Sequence, residues 1–244
     1  MTRAKEWTLG KDYYIRPAIL YDLSITDEIV SVINSSFLSE DGWTTDKQII
    51  IGDRISVQDI IDYIYETVND SKKTVLLLAF KRRKLYFSTG VTFTTITTTK
   101  ENKKDTVIGT VMMKGFDEKL FSNSFWRDQD DDSTMPQNDI KHYCYSDIYS
   151  VLPEYQSTGI GFGIAKASIE CARALMGYKY MLSWTFVDRK PEVISYYLNK
   201  IGFQLMGILK YPKQEILQDK KKIACYLIRK DLFDSEHLQK RSKL

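Results

Sequence analysis

Histidine is scarce in this 244-residue chain: there are two, His142 and His237. No Cys/His cluster has metal-ligand spacing, so we expect no metal site. A Ser-His or Cys-His nucleophile would need His142, and nothing nearby supports it. Cysteine is scarce too. Cys144, Cys171 and Cys225 are odd in number and far apart, which reads as three reduced, buried small residues rather than a disulfide framework. No apolar run approaches the length of a membrane span, and the N-terminus lacks the apolar stretch of a secretory signal. An excess of one charge is missing as well. Lys and Arg number 35 against 32 acidic residues, a net charge of +3 that is too small to point to nucleic acid. These absences lead us to expect a soluble intracellular protein that binds neither nucleic acid nor membrane.

Core material, by contrast, is ample, with sixteen tyrosines and eleven phenylalanines. No internal repeat and no strong domain boundary interrupts the chain. We expect one mixed α/β domain over residues 1–233 and a polar tail over 234–244. Tyr13 to Ala18 reads as a first strand, and Tyr21 to Phe37 as a helix with Leu23, Ile25, Ile29, Val30, Ile33 and Phe37 on its apolar face. Leu38 to Arg54 reads as a loop. Ser56 is placed to cap a helix from Val57 to Val68. Thr74 to Phe80 is a strand whose unbroken apolar run predicts burial on both faces. Thr106 to Met113 and Tyr143 to Val151 are further strands. Lys179 to Phe186 is another strand; a helix then runs from Pro191 to about Lys200 and ends at Gly202. Phe203 to Leu209 and Ile223 to Ile228 are the final strands. Two stretches, near 85–104 and 116–140, look like insertions, and the acidic run within the second reads as a solvated loop.

The most informative segment is Leu152-Pro153-Glu154-Tyr155-Gln156-Ser157-Thr158-Gly159-Ile160-Gly161. It follows a strand and opens a helix whose apolar stripe is Ile160, Ile164, Ala167, Cys171 and Leu175. Such a helix start presents unpaired N–H groups and the positive end of the helix dipole, which suits a phosphate. Gly159 and Gly161 leave the backbone open to close approach. The spacing of Gln156, Gly159 and Gly161 resembles the acetyl-CoA signature of the GCN5-related N-acetyltransferases, the GNAT superfamily. Val151 to Tyr155 is similar to the end of that family's fourth strand, and the Arg16-Pro17-Ala18 start also fits.

The resemblance implies the GNAT fold: a mixed, mostly antiparallel sheet of about seven strands, flanked by about four helices and split at the acetyl-CoA site. It implies that the N–H groups of Gln156, Ser157, Thr158, Gly159, Ile160 and Gly161 hold the coenzyme pyrophosphate. The backbone near Ser150 and Val151 would bond the pantetheine arm and the acetyl carbonyl. It further implies direct transfer from acetyl-CoA to an amine, with no metal. A tyrosine beside the sulfur suits that chemistry, because its pKa near 10 is close to that of a thiol. Tyr197 falls on the family position counted forward from Pro191. Counted backward from Gly202 the position is Leu198, so the segment carries one extra residue, and Tyr196 is the fallback. Asp147 is the expected base. Strand alternation puts Tyr143, Tyr145, Asp147, Tyr149 and Val151 on one face, where a carboxylate among tyrosines would be partly desolvated. Trp43 and Arg54 resemble a loop that borders the acceptor site in small-molecule members, Arg54 being suited to a carboxylate. Arg189 and Lys190 read as surface charges.

The last three residues, Ser242-Lys243-Leu244, match the peroxisomal address read by an import receptor. The expected function is thus acetylation of a small-molecule amine in the peroxisomal matrix. Cytoplasmic residence is the alternative if the tripeptide is fortuitous. A longer acyl-CoA donor and a catalytically silent CoA-binding module are the alternative activities. The resemblance also allows a homodimer.

Overall fold

The computed structural model describes residues 6–39, 52–83, 105–116, 141–187, 190–210 and 224–233. In them eight strands form one sheet: β1 (Trp7–Leu9), β2 (Tyr13–Pro17), β3 (Thr74–Lys81), β4 (Thr106–Gly115), β5 (Tyr143–Val151), β6 (Tyr180–Phe186), β7 (Gln204–Lys210) and β8 (Ala224–Asp231). The order is β1-β2-β3-β4-β5-β6-β8-β7, and every neighbouring pair is antiparallel except β5–β6. Four helices flank it: α1 (Thr26–Leu38), α2 (Val57–Asn69), α3 (Ile160–Ala174) and the short α4 (Pro191–Ser195).

The unbroken apolar run of β3 explains the layering. Leu76, Leu78 and Phe80 pack with Ile29, Ile33 and Phe37 of α1 and with Ile60 and Ile64 of α2. Val75, Leu77 and Ala79 face the other way, onto Ile160, Ile164, Ala167 and Cys171 of α3. The strand is therefore buried on both faces, as its composition predicts. Ser56 caps α2 as expected: its Oγ accepts from the Asp59 N–H, and the Asp59 carboxylate accepts from the Ser56 N–H. The three cysteines are buried and form no disulfide among the described residues, and burial pushes the Cys144 thiol up.

Two sequence expectations need correction, both in helices. The sheet fits the expected about seven strands closely: the described residues form eight, the additional one being β1, too short for its pattern to show. That strand is held by tertiary contacts, with Trp7 Nε1 donating to Glu170 at 2.7 Å and Leu9 lying against Gly163 of α3. The helix expected from Tyr21 instead begins as a 3-10 turn, Leu20–Ile25, and becomes α-helical at Thr26. Buried Asp22 fixes that turn, accepting from the Ile19 N–H at 2.8 Å and from both terminal nitrogens of Arg16 at 2.7 and 2.8 Å. Leu175, read as part of the α3 stripe, is the helix C-cap and is exposed.

Candidate functional site

Strand β5 pairs with β6 only over Tyr143–Tyr145, opposite Tyr180–Leu182. Beyond that point β5 stays with β4 through Val151, and β6 stays with β8 through Phe186. The two strands part, and the sheet is split there. Within the split, β5 bulges. Thr110 pairs with Ser150 and Met112 with Asp147, so β5 carries one more residue than β4 between these pairs. Ile148 takes a positive φ of 43° to make the bulge.

The bulge overturns one expectation. Tyr143, Tyr145 and Ile148 belong to the α1/α2 side, whereas Tyr149 and Val151 pack on the α3 side. The extra residue reverses the alternation, so Asp147 does not share a face with Tyr149 and Val151. Its partner is instead Arg54, whose Nη2 lies 3.4 Å from Asp147 Oδ1. The same Oδ1 accepts the Ile148 N–H at 2.7 Å. Arg54 is positioned from α1: Asn34 Oδ1 accepts from the N–H groups of Arg54 and Ile55, and the guanidinium sits over the Phe37 ring at 5.1 Å.

The turn after β5 has the shape its glycines imply. Ser157 and Gly159 both adopt left-handed backbone, at φ 63° and 93°. Gly159 is the N-cap of α3, with no side-chain cap. The first ladder bond of the helix runs from the Gly163 N–H to the Gly159 carbonyl at 3.0 Å. That leaves the N–H groups of Ile160, Gly161 and Phe162 at the helix mouth without an intrahelical acceptor. The Gln156 N–H, by contrast, is bonded to the Pro153 carbonyl at 3.1 Å, and its side-chain amide to the Val151 carbonyl at 2.9 Å. Gln156 therefore ties the turn to β5 rather than offering its own N–H to a ligand. Thr158 closes the turn through its hydroxyl, donated to the Tyr155 carbonyl at 2.6 Å.

Facing this helix mouth is a cavity of about 130 Å³. Its lining includes Ser150, Val151, Gln156, Ser157, Gly159 and Gly161, with Tyr196 and Tyr197 opposite. The Ile160 side chain is buried in the core, so only its backbone is available there. A methyl group on Gly161 would point toward the Tyr149 and Tyr196 hydroxyls, at 3.4 and 3.5 Å. A second, smaller recess of about 20 Å³ lies between the parted strands, lined by Arg54, Asp147, Ser146, Ser183, Trp184 and Thr185 among others. Three aromatic residues, Phe37, Tyr149 and Tyr197, line both spaces.

The second chain irregularity accounts for the extra residue after Pro191. The helix continues from α4 as a π turn, Tyr196–Ile201, and ends at Gly202 in left-handed backbone, φ 81°. A π turn takes one more residue per turn than an α-helix, which absorbs the insertion. Tyr197 thereby reaches the junction of the two spaces, 9% exposed. Tyr196 faces Tyr149, their hydroxyl oxygens 3.2 Å apart. Burial pushes the Tyr196 hydroxyl up to about 12 and holds that of Tyr149 well above 10. Strand alternation puts Tyr149 beside Asp147 and not at the helix mouth, because the bulge that turns it toward α3 depends on the register of β4. Trp43, Arg189, Ser242, Lys243 and Leu244 lie outside the described residues, as do both expected insertions save Phe116.

Among the described residues no group of three or more His, Cys, Asp or Glu side chains could hold a metal ion. No family model and no curated protein matches the chain. Solved structures do. Ribosomal-protein-S5-alanine acetyltransferase of Vibrio fischeri aligns over 94% of this chain and 98% of its own, with a TM-score of 0.57 and 14% identity. An acetyltransferase of the GNAT family from Streptococcus pneumoniae aligns over 90% and 99%, TM-score 0.54, identity 15%. The protein yncA of Salmonella typhimurium, solved with its cofactor acetyl-CoA, aligns over 91% and 95%, TM-score 0.52, identity 15%. The chain has the GNAT fold.

Proposed function

We propose that this chain is an acetyl-CoA-dependent N-acetyltransferase that moves the acetyl group directly to the amine of a small molecule. One observation carries the reading: Tyr197 stands where the cavity at the open mouth of α3 meets the recess between β5 and β6. The residues suit the donor. The left-handed turn at Ser157 and Gly159 and the uncapped start of α3 offer backbone N–H groups and a positive helix end to a pyrophosphate. Ser150 and Val151 line the path from that turn toward Tyr197.

In the reaction the chain positions and neutralises rather than forming a covalent intermediate. Asp147 faces the recess and attracts an ammonium; its carboxylate, directly or through water, accepts the proton that the amine must lose before attack. As the C–N bond forms and the C–S bond breaks, Tyr197 gives its proton to the departing thiolate; the new amide nitrogen sheds its surplus proton to solvent, from which Tyr197 recovers its own. Arg54, ion-paired to Asp147, holds that carboxylate in place and is suited to an anionic group on the acceptor. The same proposal assigns the enzyme to the peroxisomal matrix through Ser242-Lys243-Leu244, on sequence alone.

The test is release of coenzyme A thiol from acetyl-CoA against a panel of amino acids, polyamines and amino sugars. Amine-dependent release with at least one class is expected. Binding of acetyl-CoA without release from any amine would overturn the enzymatic reading. For the address, a fluorescent fusion lacking residues 242–244 should become cytosolic, and unchanged peroxisomal localisation would sink that assignment.

A further inference from the structure

The bulge in β5 and the π turn after α4 each bring one tyrosine to the same place. Tyr149, turned toward α3 by the bulge, donates its hydroxyl proton to the carbonyl of Gly161 in the first turn of α3. Tyr196, which opens the π turn, sits with its hydroxyl 3.2 Å from that of Tyr149. A phenol carries a single proton. Since the Tyr149 proton goes to Gly161, Tyr149 can only accept from Tyr196, and the chain runs Tyr196 to Tyr149 to the Gly161 carbonyl. We propose that Tyr149 and Tyr196 form a hydroxyl latch that joins β5, the mouth of α3 and the π turn, and that this latch aims the adjacent Tyr197 at the reacting sulfur. They are positioning residues.

Three observations support the assignment. The latch ties together three of the elements that wall the cavity, β5, α3 and the π turn. Tyr197 is braced by the same pair, its ring meeting those of Tyr149 and Tyr196 edge-on at 6.1 and 5.7 Å. Burial raises both latch hydroxyls above the ordinary tyrosine range, so neither is an anion in the folded chain. The order of donation has a further consequence. The Tyr196 proton is held by Tyr149 and is not offered to a thiolate, so of the two neighbouring tyrosines Tyr197 remains as the acid. The role in aiming rests on the transferase reading above; the hydroxyl chain itself does not.

The experiment is a cycle of Tyr149→Phe, Tyr196→Phe and the double variant in the full chain, with two readouts. The first, urea unfolding, needs no ligand. Tyr196→Phe should lower the midpoint in the wild-type background and leave it unchanged in the Tyr149→Phe background, because the acceptor is then already gone. Equal shifts in both backgrounds would overturn the latch, and this readout stands even if no amine is acetylated. The second readout is steady-state kinetics at saturating amine. Each single variant should lower kcat about tenfold, the double variant no more than Tyr149→Phe alone, with the alkaline limb of the kcat profile unmoved. A wild-type kcat for Tyr149→Phe would overturn the aiming role. Loss of the alkaline limb in Tyr196→Phe would make Tyr196 the acid and overturn it equally.

Discussion

Tyr197 owes its candidate role to where it stands, since fifteen other tyrosines share its chemistry. It touches both the cavity of the helix mouth and the recess that holds Asp147 and Arg54. Gly161 can be argued in the same way. A Cβ there would meet nothing closer than 3.4 Å, and the position is helical with ordinary backbone, so Gly161→Ala should fold normally. The methyl would project into the side of the cavity that the proposed donor occupies. Calorimetry should therefore show acetyl-CoA affinity at least tenfold weaker, with the thermal midpoint unmoved. Unchanged affinity would remove the helix mouth from the donor site. Gly159 would be a poorer probe, because its φ of 93° makes any side chain strained there and mixes folding with binding.

At the scale of elements, two departures from regularity shape the site: the bulge in β5 and the π turn of Tyr196–Ile201. Their legibility in the sequence differed. The π turn left a trace, since the positions counted from Pro191 and from Gly202 disagree by one residue, although the count alone did not say how the chain absorbs it. The bulge left none. Residues Tyr143 to Val151 alternate as an ordinary strand does, and only pairing with β4 reveals that Ile148 is supernumerary. Alternation alone therefore puts Asp147 and Tyr149 on one face and gives no sign of the Arg54 partner of Asp147. Local signals, by contrast, are legible in the sequence: the Ser56 cap, the two-faced burial of β3, and Gly202 as a stop. Gly109 tests how tightly these elements are set. A methyl there would lie 2.8 Å from both the Ser150 carbonyl oxygen and Ile164 Cδ1, and the strand backbone cannot easily yield. Gly109→Ala should destabilise the fold by about 1–3 kcal/mol in urea unfolding. A change within about 0.5 kcal/mol would show that β4, β5 and α3 are less closely packed than described.

For the molecule as a whole, buried phenols set the alkaline limit of stability. Tyr14 and Tyr196 are pushed up to about 12, chiefly by burial, and Tyr63 and Tyr149 are also raised. The folded chain thus keeps protons that the unfolded chain releases near pH 10. Stability should begin to fall at about pH 8.5, where the Cys144 thiol ionises in the unfolded chain, and fall more steeply as pH rises from about 10 toward 12. Unfolding midpoints across pH 8–12 check this, and a level profile to pH 12 would contradict the burial of these hydroxyls. The architecture was more legible than the pairing, because layers follow from composition and periodicity while register follows from contacts distant in sequence. The claim on which the functional account rests is that Tyr197 donates the proton to the leaving thiolate. The most direct measurement is thiol release from acetyl-CoA with an active amine, comparing wild type and Tyr197→Phe. The account predicts a kcat lower by about a hundredfold, with acetyl-CoA affinity retained and the alkaline limb lost. A Tyr197→Phe variant that turns over at the wild-type rate, with its alkaline limb intact, would contradict it.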